Sequence, residues 1–560
     1  MRLPVFPWLA GYERGRLRGD VVAGLTVWAV LVPEALAYAT IAGVSPVVGL
    51  YAAPAALVLY AAFGSSRHLV TGPMAATAAL SAAAVGDLAS PGADAFLQLT
   101  ITLALVVGVL ALVAGLLRLG FLASFISEPV LKGFIIGLAL TIIVGQVPKL
   151  LGVEKEDGDF FEQLWHLLGE LGSTSGLTLL VGAASLVLVV ALKELAPVVP
   201  GSLVAVLLGI VAVNLFDLDQ HGVAIVGQID SGLPSFGLPD VDTQRYLDLA
   251  ASAAGVMLVG FAEGLGAAKA YAARNHYEID PNRELIALGA ANLGAGLSSG
   301  MVVNGSLSKT AVNASAGARS QLSGLVVAAL TVVTLLFLTG LFEELPEATL
   351  AAVVIAALVE LVDVRALVAL YRFHARGAGR AFAIAARPDF VAALAALLGV
   401  LVFDTLPGLF IGIVVSILLL LYRASRPHVA VLGKAPGTAD QWTDLERHPG
   451  NAPAPGIVVL RPETGLFFAN ADAVRDEIRA RSVAGTRAVV LDAETMPAID
   501  VTAVTMLVGL ARDLHDRGVE LVIARDIGAV RDLVDLGEEH PTIRTYPTVQ
   551  AAVDALANEP

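Results

Sequence analysis

Two short stretches decide the fold: Ser65-Ser66-Arg67-His68-Leu69-Val70-Thr71-Gly72-Pro73-Met74-Ala75 and Asn304-Gly305-Ser306-Leu307-Ser308-Lys309-Thr310-Ala311-Val312-Asn313. Each leads into an apolar piece, 73–86 and 306–316, that is too short to cross a bilayer. An 11-residue helix reaches only about 17 Å, against about 30 Å of hydrocarbon. Each piece therefore completes a crossing only if an extended segment leads into it from one face. Thr71 or Gly72 suits an N-cap and Pro73 suits the first helical turn, where its missing N–H costs nothing. In the second stretch Ser306 or Ser308 suits the cap. A helix start carries unsatisfied N–H groups and a fractional positive charge, which together favour an anion. Lys309 adds a full charge within the first turn. The competing reading is that Gly72-Pro73 merely kinks a span and the serines bond to carbonyls one turn back. The matched placement of the two stretches, together with Lys309, favours the anion site.

Working outward, apolar stretches capable of crossing run near 20–40, 46–62, 95–117, 121–149, 174–192, 198–216, 249–268, 285–297, 321–342, 347–362, 389–404 and 406–422. With the two short pieces the count is 14. Charge placement tests it. With the Arg-rich N-terminus (1–19) in the cytoplasm, alternation puts Arg67, Arg118, Lys193, Lys269, Arg274, Arg283, Arg319, the run Arg365, Arg372, Arg376, Arg380 and Arg387, and Arg423 and Arg426 on the same side. The outer connections hold few cations (Lys149, Lys155, Arg245) and many acids, such as Glu154, Asp157, Asp217, Asp240 and Glu344. This is the positive-inside bias. Omitting either short piece puts the basic run Arg372–Arg387 outside. Both termini are therefore expected inside. The short pieces are the third and tenth segments, seven apart, in halves of seven spans each. An odd number of spans inverts the second half, and paired, interrupted short segments point to the binding site of an inverted-repeat transporter.

The 560 residues are 56% hydrophobic and only 15% charged, with mean hydropathy +0.77, which excludes an ordinary soluble enzyme. The average conceals two parts. Residues 1–426 carry 23 Lys/Arg and 30 Asp/Glu; residues 427–560 carry 12 and 20. The first has membrane composition and the second soluble composition. Both are net acidic, which excludes nucleic-acid binding by charge. With no cysteine there is no disulfide framework, no Cys-ligated zinc and no thiol catalysis. Met1–Asp20 lacks the apolar core of a signal peptide. No Walker lysine loop, HExxH or GxSxG element occurs, and no metal site or catalytic residue stands out.

Three ionisable residues lie inside apolar spans. Glu263, without a cation in the preceding turns, is protonated, paired or ion-binding. Glu34 follows Pro33, read as a break in the first span, and either bonds the freed backbone N–H groups or lines the site. Lys132 snorkels to the interface. Beyond Arg426, Ile457–Arg461, Gly465–Ala469, Ala488–Asp492 and Glu520–Ala524 read as strands. Ala471–Ala480, Val501–Asp516, Ile527–Leu536 and Thr548–Ala557 read as helices. This alternation is a small α/β domain over 456–560, joined by a linker, 427–455, that includes the loop-like Thr438–Pro455.

Pro33-Glu34-Ala35-Leu36-Ala37-Tyr38, Ser66-Arg67-His68 with Gly72-Pro73, Glu263-Gly264 and Ser306-Leu307-Ser308-Lys309-Thr310-Ala311-Val312-Asn313 together resemble the sulfate permease family, solute carrier family 26, over nearly the whole chain. The resemblance implies a polytopic α-helical membrane protein of 14 segments in a 7+7 inverted repeat, with core and gate domains and a homodimer. It implies an anion site at the starts of the third and tenth helices, formed by Gly72, Pro73, Met74 and Ala75 with Ser306, Leu307, Ser308 and Lys309. Glu34 and Tyr38 line it from the first span, and Glu263 faces it from the eighth. Met74 stands where the family often has an aromatic residue, and Lys309 where many members have Arg, which loses bidentate geometry. The tail resembles a STAS domain, the module related to anti-sigma-factor antagonists. Thr502 aligns with their phosphorylated serine, while Asp500 or Thr502 acting as a helix cap is the simpler role. The implied function is secondary transport of a small anion (sulfate, bicarbonate or a dicarboxylate) in an inner membrane, with no cofactor beyond a coupling ion. Glu263 would couple transport to H⁺ or Na⁺, and its isolation within a span favours H⁺. The rivals are an uncoupled exchanger or channel, a nucleobase permease, and a membrane-tethered signalling scaffold whose STAS-like domain meets a cytosolic partner.

Overall fold

The computed structural model describes all residues except 1–4, 10–11, 87, 91–92, 126, 155, 157, 197–198, 230, 360–361, 364, 366–367, 369–378, 404, 526–542 and 559–560; for 123–125 and 379–388 the backbone alone is described. The expected helix 527–536 and the loop residues Lys155, Asp157, Arg372 and Arg376 lie outside the described residues, as do the side chains of Arg380 and Arg387. Two compact units divide between Ser416 and Ile417.

The first unit holds the apolar helices, the last of them only as far as Ser416. In chain order they are α1 (Leu17–Ile41), α2 (Pro46–Phe63), α3 (Ala75–Gly86), α4 (Asp94–Leu116), α5 (Glu128–Leu151), the short α6 (Phe160–Gly169), α7 (Gly176–Leu195) and α8 (Gly201–Phe216). The second half runs through the short α9 (Thr243–Asp248), α10 (Ala250–Arg274), α11 (Pro281–Leu297), α12 (Leu307–Ser315), α13 (Leu322–Phe337), α14 (Glu347–Val359), α15 (Gly379–Phe403) and α16 (Thr405–Ala424). Among the described residues, seven of them are long and apolar enough to cross a membrane on their own. Setting aside α6 and α9 leaves 14 segments among the described residues, seven in each half.

Two stretches differ from the expected spans. The continuous stretch 121–149 is divided: a 3-10 turn, Leu119–Phe125, precedes α5, whose second residue is Pro129. Proline favours the first turn of a new helix over the interior of an old one. Pro33, by contrast, does not break α1, which runs through it without interruption.

The helices sort into two groups by packing. α4 crosses α11, α2 and α13 pack on each other and on α1, and α10, α3 and α12 close the group. α5, α7, α8, α14 and α15 form the other. These are the core and gate groups of the inverted repeat. The α4–α11 crossing is built on glycines. A Cβ on Gly289 would stand 2.6 Å from the Leu112 nitrogen and 2.8 Å from the Gly108 carbonyl oxygen. Small residues let membrane helix backbones meet this closely, and the gain is dispersion contact, since lipid supplies no hydrophobic drive between helices.

The extended segments demanded by the two short helices are present. β1 (Val70–Gly72) leads into α3 and β2 (Asn304–Ser306) into α12. They pair antiparallel, Val70 opposite Ser306 and Gly72 opposite Asn304. Equivalent segments of two inverted halves meet antiparallel, and pairing them satisfies backbone groups that would otherwise be orphaned inside the bilayer.

In the second unit the described residues form a six-stranded sheet in the order β4-β3-β5-β6-β7-β8, made of β3 (Val429–Lys434), β4 (Trp442–Asp444), β5 (Ile457–Pro462), β6 (Ala488–Asp492), β7 (Glu520–Ala524) and β8 (Thr545–Tyr546). β5 to β8 are parallel; β3 joins β5 antiparallel and β4 folds back on β3. Helices α17 (Ala471–Arg481), α18 (Val501–His515) and α19 (Val549–Asn558) pack on it. Two expectations fail. The segment read as a linker supplies β3 and β4, so the sheet begins before residue 456. Gly465–Ala469 is not a strand: Leu466 makes only an isolated bridge to Ile499. Its backbone is claimed by side chains, the Phe467 N–H by Asn470 Oδ1 and the Phe468 N–H by Asp500 Oδ2.

Candidate functional site

The site grows from the β1–β2 pair. After β1 the chain passes Pro73 and Met74 before α3 begins at Ala75. The first helical bond runs from the Ala78 N–H to the Met74 carbonyl, 2.9 Å. The cap position therefore falls on Met74, later than the Thr71 or Gly72 expected from sequence, because those two residues are committed to the strand ladder. At the other start the expectation of a serine cap holds. Ser306 Oγ accepts the Lys309 N–H at 3.2 Å, with Ser308 Oγ 3.1 Å away. Thr310 Oγ1 donates to the Ser306 carbonyl and accepts the Val70 N–H at 3.1 Å, tying α12 to β1.

Lys309 is 1% exposed, and its ammonium does not stand free. Nζ donates to Glu34 Oε2 at 2.6 Å and to the Pro73 carbonyl at 3.2 Å, and lies 5.0 Å from the centre of the Tyr38 ring. Glu34 thus meets Lys309 and does not serve the backbone groups freed by Pro33. One buried ion pair joins α1, the start of α3 and the start of α12. Glu263, on α10, is half-buried and accepts a hydrogen bond from Asn304 Nδ2 at 3.4 Å. Gly264 permits that approach, since a Cβ there would stand 3.1 Å from Asn304 Oδ1. Leu307 and Ser308 are exposed, while Gly72, Pro73, Met74, Ala75 and Ser306 are buried. Thr71 Oγ1 and Asn304 Oδ1 are buried without a hydrogen-bond partner. The expected site residues Glu34, Tyr38, Pro73, Ser306, Ser308 and Lys309 are brought together; Glu263 joins them through Asn304.

Further hydrogen bonds fix the segment that leads into β1, and sequence reading missed them. Asn313 Nδ2 donates to the His68 carbonyl at 2.9 Å; Gln321 Nε2 donates to the carbonyls of Ser66 and Leu69 at 3.0 and 2.8 Å. The buried Glu284 carboxylate accepts from Tyr60 Oη, Ser65 N, Ser65 Oγ and Ser66 N at 2.6 to 3.1 Å. Glu284 looks in sequence like an ordinary acidic residue of a first helical turn, so no signal marked it. Lys132, expected to snorkel, is half exposed and pairs with Glu128 at 2.7 Å.

In the sheet domain Asp500 caps α18, accepting the Ala503 N–H at 2.8 Å, and Thr502 is exposed in the first turn. Asp492, fully buried at the end of β6, is bound by two nitrogens of Arg525. Burial pushes the Asp492 carboxyl up from its ordinary value, and Arg525 offsets part of that rise.

Comparison with known proteins identifies the family and the fold. The Sulfate permease family profile matches residues 17–384 and the STAS domain profile residues 451–552. A probable sulfate transporter of Mycobacterium tuberculosis is 38% identical over 553 residues, 97% of this chain and 96% of that protein. The chloroplastic sulfate transporter 4.1 of Arabidopsis thaliana is 31% identical over 581 residues, 98% of this chain and 82% of its own. Among solved structures, the murine solute carrier 26 family member A9 anion transporter superposes with a TM-score of 0.89 at 22% identity, covering 99% of this chain and 94% of the other. The transmembrane domain of a cyanobacterial bicarbonate transporter superposes at 0.60, with 23% identity, over 70% of this chain and 98% of its own. The chain, a multi-pass membrane protein with a C-terminal STAS domain, belongs to the sulfate permease family of transporters.

Proposed function

We propose that this protein is a secondary active transporter of a small oxyanion of the sulfate, bicarbonate or dicarboxylate class, with the anion held between the starts of α3 and α12. The observation that carries this reading is the convergence of two helix starts, fixed by β1–β2, on one buried ammonium. Helix starts offer N–H groups and partial positive charge to an anion, and the unpartnered Thr71 Oγ1 supplies a further donor. Glu34, Tyr38, Met74 and Ser308 complete the lining. Glu263 is the coupling group, taking up H⁺ or, in the alternative, binding Na⁺, and alternating access follows from motion of the core helices against the gate helices. The loop charges support a topology with both termini in the cytoplasm. The working unit is a homodimer, and the STAS domain offers a surface to a cytosolic partner, with Thr502 as its candidate phosphorylation site.

Uptake of labelled sulfate, bicarbonate and dicarboxylates into proteoliposomes, with and without pH and Na⁺ gradients, tests the reading. A pH gradient should drive uptake of one of these anions, and Glu263→Gln should abolish the drive. Unchanged gradient-driven uptake in that variant removes Glu263 as the coupling group. A voltage-dependent current without a proton requirement identifies a channel or uncoupled exchanger. No anion movement, together with loss of a cellular response in Thr502→Ala, identifies a signalling scaffold.

A further inference from the structure

Between α5 and α7 the chain forms α6, Phe160-Phe161-Glu162-Gln163-Leu164-Trp165-His166-Leu167-Leu168-Gly169. Its start is firmly built. Asp159 Oδ1 accepts the N–H groups of Phe161 and Glu162, each at 2.9 Å, and Glu162 reaches back to the Asp159 N–H at 3.1 Å, a complete capping box. At 100° per residue the helix has three faces rather than two. One face packs inward: Leu167 is buried and Phe160 and Leu164 are half-buried, where the helix meets α5 and α15. A second face is polar, with Glu162, Gln163 and His166, the last paired with Glu156 at 3.2 Å. The third face carries Phe161, Trp165 and Leu168, spaced i, i+4, i+7, and it is open: 50%, 80% and 54% exposed.

A water-exposed face of Phe, Trp and Leu is costly, at about 25 cal/mol per Å² of apolar surface left in water. The helix before α6 and the helix after it are each long and apolar enough to span a membrane, and α6 lies on the connection between them, packed against α5 and α15. The next span continues the same kind of surface, with Leu180 and Val187 at 66% and 67% exposed. Trp favours the membrane–water boundary, where its ring is buried and its N–H stays wet. We propose that α6 lies in the membrane interface, with Phe161, Trp165 and Leu168 inserted among the lipid chains and Glu162 and His166 turned to water. Its inward face fixes it to α5 and α15, so the helix anchors the gate group at a set depth while the polar face stays hydrated.

The chain has no cysteine, so one introduced Cys is the only attachment point for a nitroxide label. In the full-length protein in phosphatidylcholine nanodiscs, labels on Trp165→Cys and Leu168→Cys are expected to collide with oxygen, relative to a water-soluble nickel complex, roughly threefold or more as often as a label on Glu162→Cys. The Leu168→Cys variant keeps the test independent of the tryptophan. Equal nickel accessibility at 162, 165 and 168 overturns the proposal. So does dipolar broadening between labels at 165 that disappears on dilution with unlabelled protein, because a second copy of the chain would then cover this face.

Discussion

At the scale of single residues, the site turns on how the charge of Lys309 is balanced. Glu34 and Lys309 are 9% and 1% exposed at the side chain and 2.6 Å apart. Desolvating both ions absorbs much of their mutual attraction, so the pair contributes little net stability, whereas removing one partner strands the other. Lys309→Met is therefore expected to cost about 3–5 kcal/mol, while Glu34→Gln with Lys309→Met recovers most of it. Chemical unfolding of the single and double variants in detergent measures the difference; additive losses would count against a paired role. A second buried pair gives a pH prediction. The Asp492 carboxyl is already raised by burial and held back by Arg525. Arg525→Leu should raise it further. A carboxyl whose folded value exceeds its unfolded value binds more protons when folded, so the stability it contributes is present at low pH and lost as pH rises through the folded value. The variant's deficit should thus widen from about pH 4 toward pH 7, as followed by urea unfolding of the sheet domain at several pH values.

At the scale of elements, what was legible depended on how much of each element its own residues specify. The two short membrane helices were legible because length alone disqualifies them as crossings, and the extended lead-ins follow from that. Their starts were only half legible. Ser306 caps because its Oγ is free to do so, but Thr71 and Gly72 are drawn into a ladder with a strand more than 230 residues away, which no local pattern reveals. The sheet domain repeats the lesson. β6 and β7 are buried parallel strands, read directly from apolar runs. β3 and β4 sit among Gly, Pro and Asn; β3 is held by its ladder with β5, and Asn451 Nδ2 bonds Gly433 O and Thr443 Oγ1 across the β3–β4 hairpin. Pairing between β1 and β2 also makes a prediction. A Cβ on Gly305 would stand 2.8 Å from Leu69 and 3.1 Å from the Gly264 backbone. Gly305→Val should therefore force β2 from α10 and suppress uptake with the protein still folded. Ser306→Ala, which removes the cap and the contact with Ser308 Oγ without adding bulk, should cost about 1 kcal/mol. Parallel uptake and melting measurements separate the two effects.

At the scale of the whole molecule, the composition already divides the chain into an apolar part and a charged part, and the two compact units are held by different physics. The membrane unit depends on close helix contact at glycines, whereas the sheet unit has a water-driven core of its own, with Val489, Leu491, Leu507 and Leu510 all at 1% exposure or less. Each core is therefore expected to respond only to its own substitutions, since effects at sites that share no partners add independently. Leu507→Ala empties a buried Leu site and should cost about 2–5 kcal/mol. The loss should fall on the sheet unit. Hydrogen exchange on the full-length protein resolves this by peptide. Protection should drop across β5, β6, β7 and α18 in Leu507→Ala, while the peptides of α4 and α11 keep their exchange rates. The reciprocal change, Gly289→Val at the α4–α11 crossing, should loosen α4, α11 and the β1–β2 site they support and leave β6 untouched. If Leu507→Ala instead raised exchange in α4 and α11, the two cores would form one cooperative unit. Transport and the state of the sheet domain would then be thermodynamically linked.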